Sequence, residues 1–268
     1  DDKTDTSNIK SILLIGQDKR EGQSRQRSDS MILATLDKDQ KTISLTSFMR
    51  DLYVAIPGYS STRINAAYAY GGMDLLDETL TQNFGVEIDG NVEVDFEVFQ
   101  VLVDKVGGID LELTQAEADY ICGRDQSVLY PQPLRTDWDL QEGMNHLDGE
   151  QALIHARNRS IGNSDYRRTE RQQEVLMAAF EKVKDLSAFS IAGLVKDVLP
   201  LVTTDLSFTE IIGYAMDVMS IGTGDIATYR IPEDGAYTPQ TISGMQVLVP
   251  DLEQNRKYLQ QVLYHAEA

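Results

Sequence analysis

The sequence predicts an α/β fold with helices on both faces of a sheet, and three observations carry that expectation. Short apolar runs near the start have the length and alternation of strands. Later stretches repeat their apolar residues at helical spacing. The two kinds of segment are intermixed along the chain rather than segregated, as an α/β domain requires.

Ile9 to Gly16 and Ser30 to Leu36 are apolar runs, and Lys41 to Phe48 alternates, with Ile43, Leu45 and Ser47 opposite Thr42, Ser44 and Thr46. These read as three neighbouring strands, the last two joined by a hairpin-like Asp37-Lys38-Asp39-Gln40. Leu52 to Ile56 is a further extended piece, stopped by Pro57-Gly58. Asn65 to Phe84 has helical spacing interrupted by Gly71-Gly72, which predicts two helices. Asn91 to Val94 reads as a short strand. Phe96, Phe99, Val103 and Val106 then mark a helix that Gly107-Gly108 ends. Ile109 to Leu113 is a strand. Thr114 to Asn145, with Pro131, Pro133, several glycines and mixed charge, reads as a long loop.

Asp148-Gly149-Glu150-Gln151 has the form of a capping box, so a helix should follow to about Arg157. Asp165 can cap a second helix to about Leu186, and another fits Ile191 to Val198. Ser207-Phe208-Thr209-Glu210 is a further capping box, for a helix to about Met219. Ala227 to Ile231 and Met245 to Val249 read as strands, and Pro250 to Tyr264 as a final helix. No internal repeat and no shift in composition divides the chain. Residues 9–268 therefore read as one domain behind a polar, disordered leader, residues 1–8.

Composition narrows the function. The 268 residues carry 24 basic and 43 acidic side chains, a net charge of −19. A nucleic acid as main ligand would need a basic face, and an anionic lipid surface would be repelled. Cys122 is the single cysteine, which excludes an intrachain disulfide and a thiolate metal site. No apolar run reaches the roughly 18 residues of a membrane span. The chain opens on Asp, and the expectation is that an upstream anchor has been cut away. There is no phosphate-binding G-x-x-x-x-G-K-[ST] loop, no H-E-x-x-H and no G-x-S-x-G, and His146, His155 and His265 are scattered.

Against this acidity stands one cationic segment: Arg157, Arg159, Arg167, Arg168 and Arg171 fall within fifteen residues. A local cluster of planar, forked donors on an anionic chain suits a phosphate or pyrophosphate. Arg157 and Arg159 close one helix, whereas Arg168, Arg171 and Gln172 share a face of the next. Pairing with Asp165, Glu170 and Glu174 is the competing reading of the same spacing. A second polar cluster comes from strand ends: Asp18 after the first strand, Arg27 and Asp29 before the second, Arg50 and Asp51 after the third. Two carboxylates among arginines suit a divalent cation shared with a diphosphate; ordinary surface ion pairing is again the alternative.

A family resemblance rests on seven blocks in order. They are Ile15-Gly-Gln-Asp18, Arg27-Ser-Asp29, Ser47-Phe-Met-Arg50-Asp51, Arg63-Ile-Asn65-Ala-Ala-Tyr-Ala-Tyr-Gly71-Gly72, Asp95-Phe-Glu-Val-Phe99 with Val103-Asp104-Lys-Val-Gly107-Gly108, Leu147-Asp148-Gly149-Glu-Gln151-Ala152-Leu153, and Arg157-x-Arg159 through Asp165-x-x-Arg168-x-x-Arg171-Gln172. Together they resemble the LytR-CpsA-Psr family over about residues 10 to 185. Residues beyond about 190 carry no usable motif.

The resemblance implies a three-layer α/β/α sandwich with a central mixed sheet, on the extracytoplasmic face of the membrane and tethered by an N-terminal helix. It implies a polyprenyl-pyrophosphate-linked glycopolymer as donor, whether wall teichoic acid, capsular or another wall polysaccharide. The glycopolymer moves with its first phosphate to a hydroxyl of peptidoglycan. Asp18 and Asp29 then resemble Mg²⁺-associated carboxylates. Arg27, Arg50, Arg63, Arg157, Arg159, Arg168 and Gln172 resemble the pyrophosphate clamp, with Asp165 its acidic companion; position 63 is often Lys in the family. Arg50 and Arg168 are the expected catalytic cations and Asp29 the candidate general base. A pyrophosphate hydrolase and a non-catalytic polyprenyl-phosphate binding or regulatory protein are the alternatives. The lipid tail calls for a dry groove, with Leu75, Leu76, Leu80, Phe84, Phe96, Phe99, Val103, Leu176, Phe180, Val183 and Ile191 as candidates, although plain core has the same periodicity. The acidity predicts that arginines line the donor's route, or that the donor is less charged than teichoic acid.

Overall fold

The computed structural model describes residues 7–17, 27–162, 165–184, 186–222 and 226–266. In chain order these form β1 (Ile9–Gln17), β2 (Ser28–Asp37), β3 (Thr42–Phe48), β4 (Tyr53–Val54), β5 (Thr62–Arg63), α1 (Asn65–Phe84), β6 (Gly90–Asp95), α2 (Phe96–Lys105), β7 (Ile109–Leu113) and α3 (Gln115–Ile121). There follow β8 (Gly143–Leu147), α4 (Gly149–Arg157), α5 (Asp165–Lys184), α6 (Ala188–Val198), β9 (Thr203–Thr204), α7 (Phe208–Ile221), β10 (Ile226–Ile231), β11 (Tyr237–Ile242), β12 (Met245–Pro250) and α8 (Leu252–Tyr264). The chain divides into two compact units, Asp1–Asp95 with Val202–Ala268, and Phe96–Leu201.

The first unit is built on a central six-stranded sheet of order β10-β3-β2-β1-β6-β9. It is mixed: β1, β2 and β3 run antiparallel to one another, whereas β10 joins β3 and β6 joins β1 in parallel. The α/β class and the mixed central sheet are those the sequence predicts. Both faces are covered, because Met31 through Asp37 of β2 and Ile43 through Phe48 of β3 are buried without a break. Helix α1 packs on β2 and α8, and α7 packs on β3. Helix α1 is two helical pieces, as predicted, and the break falls at Gly72 (φ 73°, ψ −152°). Asn8, the last residue of the expected leader, is bonded through its side chain to Asp39 of the β2–β3 turn at 3.1 Å. Residues 1–6 of that leader lie outside the described residues.

A polar knot closes the sheet edge. Asn91 of β6 donates its side chain to Asp77 of α1 at 2.7 Å and to Asp205 at 2.9 Å, while its backbone N–H reaches Asp205 at 2.7 Å. Burial pushes the Asp77 carboxyl up to about 6. The Asn91 hydrogen bond opposes that rise, and the charges of Asp205 and Asp74 add to it.

The second unit gathers its helices around the antiparallel β7–β8 pair, with Ile109 opposite Leu147. Its core joins Val103, Ile109, Leu113, Ile121, Leu147, Ala152, Val175 and Ala178. The expected loop from Thr114 to Asn145 is corrected here: it holds α3 and most of β8. Thr114 and Glu117 form a reciprocal capping box that starts α3, a signal that the surrounding prolines and glycines obscured. Strand β11 was also missed, since it contains Pro239 and is largely exposed, without the apolar alternation that marks a half-buried strand. Helix α6 starts at Ala188, earlier than its apolar spacing suggests, because Ser187 caps it. The predicted box at Asp148 and Gln151 does start α4, which ends at Arg157.

Gly149 opens α4 where it passes the backbone of α2. A methyl group there would stand 2.2 Å from the Gln100 carbonyl oxygen. Gly149→Ala is therefore expected to cost about 1–3 kcal/mol and to lower the melting temperature by several degrees. A melting temperature equal to wild type in calorimetry would contradict the close approach. Asp77 favours its neutral form in the fold, so its contribution is greatest below the ordinary carboxylate pKa and is lost as pH rises through about 6. Asp77→Asn should remove this loss and raise stability at pH 8 relative to pH 4. Denaturant melts of both proteins across that range measure it.

Candidate functional site

The first unit assembles its polar cluster at one rim of the sheet. Gln17 at the end of β1 is in register with Ser28 at the start of β2 and with Asp95 at the end of β6. Asp29 is the second residue of β2, and Arg50 follows β3, the antiparallel neighbour of β2. The Arg50 guanidinium donates to Asp29 at 3.1 Å and lies 3.8 Å from Asp51. Arg63 pairs with Asp51 at 3.1 Å and donates to the Gln246 carbonyl at 3.1 and 2.5 Å. The Asp51 carbonyl in turn accepts the Leu248 N–H at 2.9 Å. Asp29, Arg50, Asp51 and Arg63 thus form a row of alternating charge, with strand β12 holding its far end. All four are half-buried, whereas Arg27, just ahead of β2, is exposed. Asp18 lies outside the described residues.

The predicted convergence of Asp29 and Arg50 holds in this row. The sequence places Asp51 in this cluster without a ligand role and Asp95 in a family block; the Gln246 carbonyl is the member it does not indicate. Asp95 opens one of the sequence blocks, but its place level with Gln17 comes from parallel pairing between strands far apart in sequence, which local spacing does not signal. Among the described residues no group of three or more His, Cys, Asp or Glu is arranged to hold a metal ion. Magnesium does not require one, since it takes one or two carboxylates and completes its shell with phosphate oxygens and water. A hard, partly exposed carboxylate such as Asp29 among arginines fits that demand.

The second unit sorts the five arginines of the cationic segment into different roles. Arg171 is the largest fully buried side chain among the described residues. It donates to Glu117 at 3.0 Å, to the Asn158 carbonyl at 3.1 Å and to the Ile161 carbonyl at 3.0 Å. Asn158 adds turns of its own, accepting the Ser160 N–H at 2.9 Å and the Ile161 N–H at 3.2 Å. These bonds fix the loop after α4 and leave Arg157 and Arg159, on either side of Asn158, exposed. The Arg157 guanidinium stacks over the Phe96 ring, 4.0 Å from its centroid. Arg168 is buried and pairs with Asp165 at 3.1 Å. Gln172, one turn further along α5, is half-buried. Arg167 is spread over Glu170 and Glu174 at 3.0 Å and Glu117 at 3.3 Å.

Electrostatics separates these roles. Glu117 loses hydration by burial, which opposes ionisation, but the Thr114 N–H and the Arg171 guanidinium more than offset it and hold its carboxyl below the usual range. Burial likewise opposes ionisation of Glu174, and His155 with Arg167 outweighs it. Arg167 and Arg171 are therefore neutralised by their own carboxylates. A cavity of about 560 Å³ beside them is lined by six carboxylates, those of Asp110, Glu112, Glu117, Glu142, Glu174 and Glu181, with Arg167 as its cation. Its charge is wrong for a phosphate, so size alone does not mark the site. Of the expected groove residues, Leu76, Leu80 and Phe84 are fully buried in the first unit, and Val103 and Ile191 are buried in the second. Leu75, Phe96, Phe99, Leu176, Phe180 and Val183 are half-buried.

Comparison with known proteins follows the same lines. The LytR_cpsA_psr family model matches residues 1–261. The chain is 31% identical over 235 residues to the polyisoprenyl-teichoic acid–peptidoglycan teichoic acid transferase TagT of Bacillus subtilis (strain 168), covering 85% of this chain and 70% of TagT. It is 31% identical over 261 residues to TagV of the same strain, a transferase of the same description, covering 94% of this chain and 64% of TagV. The chain thus spans about two thirds of the length of these relatives. The solved structure of TagT with bound octaprenyl pyrophosphate lipid superposes with a TM-score of 0.71 and 26% identity, covering 96% of this chain and 91% of that one. The extent of the family match and the identity to both relatives lead to one conclusion: the chain belongs to the LytR-CpsA-Psr family.

Proposed function

We propose that this protein is a phosphotransferase that moves a glycopolymer, with its first phosphate, from a polyprenyl-pyrophosphate carrier to a hydroxyl of peptidoglycan. The likeness to TagT, solved with a polyprenyl pyrophosphate, is the observation that carries the reading. The donor glycan is a teichoic acid or another anionic wall polymer, and the reaction takes place on the extracytoplasmic face of the membrane.

The acceptor hydroxyl oxygen attacks the phosphorus next to the sugar, its proton leaves to a base, and the bond to the lipid phosphate breaks. Negative charge builds on the phosphoryl oxygens and on the leaving phosphate. Arg27, Arg50 and Arg63 of the first unit, and Arg157, Arg159, Arg168 and Gln172 of the second, are assigned to phosphate oxygens. Asp165 orients Arg168 through their 3.1 Å ion pair. Asp29, with Asp18, is assigned to Mg²⁺, which when bound neutralises phosphate charge and polarises the phosphoryl group. Asp29 is also the candidate base for the acceptor hydroxyl. Its 3.1 Å bond to Arg50 fixes the carboxylate at the rim of the sheet.

Two experiments test this reading. With a synthetic polyprenyl-pyrophosphate disaccharide and un-crosslinked peptidoglycan oligomers, mass spectrometry should find a phosphosugar–glycan adduct that needs Mg²⁺ and is lost with EDTA. Release of free phosphosugar alone would assign a hydrolase. Arg50→Ala and Arg168→Ala should each lower the rate about 10²–10³-fold, or roughly 3 kcal/mol in the barrier, with the fold kept. Arg171→Ala should instead unfold or strongly destabilise the protein, because it removes the fully buried partner of Glu117 and leaves the Asn158 and Ile161 carbonyls without their donor. Equal melting temperatures for Arg168→Ala and Arg171→Ala would refute that division of labour. Asp29→Asn should abolish turnover, and a near-normal rate at saturating Mg²⁺ would remove both of its roles.

A further inference from the structure

Outside the charged clusters, the first unit carries an aromatic pair that the chemistry above does not use. Tyr59 and Tyr70 stack with ring centroids 4.7 Å apart and planes 24° from parallel. They remain 53% and 45% exposed. Both are held by the backbone. The Tyr59 N–H bonds the Ile56 carbonyl at 2.9 Å across Pro57-Gly58, with Gly58 at φ 75°, which is a type II turn with its preferred residues. Tyr70 lies on the first piece of α1, just before the break at Gly72.

We propose that Tyr59 and Tyr70 form a stacking platform for a pyranose ring of the glycan acceptor. The proposal rests on the transferase reading and adds the place where the acceptor sugar lies. A pyranose has an apolar C–H face rimmed by hydroxyls. The negative face of an aromatic ring attracts such C–H groups, and tyrosine offers a large, stiff, amphipathic surface at low entropic cost. The rings are already paired and fixed, so little ordering is lost on binding. The adjacent Ser60 and Ser61 are exposed and can bond sugar hydroxyls.

Charge selects this class of ligand over others. From Leu52 to Met73 the only charged residue is Arg63, on a chain whose net charge is −19. A cationic peptide would seek carboxylates, and this stretch has none. A lipid surface would need a broader apolar patch than two rings flanked by serines and glycine. A neutral or anionic glycan meets no repulsion here. The platform is also continuous with the proposed machinery, since Tyr59 lies in the loop between β4 and β5, and β5 ends in Arg63.

The test is a titration with a tetramer of β-1,4-linked N-acetylglucosamine, followed by ligand-observed NMR. It compares wild type, Tyr59→Ser, Tyr70→Ser and the ring-preserving Tyr59→Phe. Saturable binding is expected, weakened about tenfold, or about 1.4 kcal/mol, by each serine variant and retained by Tyr59→Phe. In the transfer assay the serine variants should raise KM for the acceptor while kcat and donor binding stay unchanged. The side chains are exposed, and equal melting temperatures verify folding. Serine variants that bind the tetramer as wild type does overturn the platform, as does wild type without saturable binding. A wild type that binds it through the tyrosines but transfers no phosphosugar overturns the transferase reading and leaves a glycan platform standing.

Discussion

The second unit depends on one buried guanidinium. Arg171 has no access to water, and its donors are taken by Glu117 and by the carbonyls of Asn158 and Ile161. A buried charge is tolerable only when paired and fully hydrogen-bonded. Here the pairing performs structural work: it ties α5 to the start of α3 and to the loop that leaves α4. The same bonds present Arg157 and Arg159 to solvent while Arg171 itself is withdrawn. One arginine holds the loop in order, and its neighbours Arg157 and Arg159 face solvent.

The first unit solves the corresponding problem with a row instead of a buried pair. Arg50 and Arg63 are aligned by Asp29, Asp51 and the Gln246 carbonyl, each within the partly exposed rim. Carboxylates at this distance keep guanidinium groups from collapsing onto other acidic surface. In the reaction proposed above, preplaced donors of this kind stabilise developing phosphate charge without reorganising. On a chain whose net charge is −19, Arg50 and Arg63 are each held by a specific acidic or carbonyl partner.

Much of the architecture was legible because local chemistry was consistent with the fold. The capping boxes at Asp148 and Ser207 marked helix starts, and Gly71-Gly72 marked the break in α1. The first two strands, Ile9 to Gly16 and Ser30 to Leu36, were legible as apolar runs, since a sheet covered on both faces needs them, and the third, Lys41 to Phe48, was legible by its alternation. The box at Thr114 was overlooked among turn-forming residues. Strand β11 has no apolar face to betray it, being stabilised by pairing with β12.

The candidate site divides along the same line. The sequence by itself determined that this chain concentrates arginines beside a few chosen carboxylates, and which family carries that order of motifs, because residue types and spacings are local information. Only the tertiary structure decided what each arginine does. Spacing put Arg167, Arg168 and Arg171 on one helix, yet burial and partners made Arg171 a strut, spread Arg167 over glutamates and paired Arg168 with Asp165. Tertiary pairing likewise brought Asp95 level with Gln17 and stacked Tyr59 on Tyr70. A side chain's role is set by its exposure and by neighbours distant in sequence, and both come into being only when the chain folds.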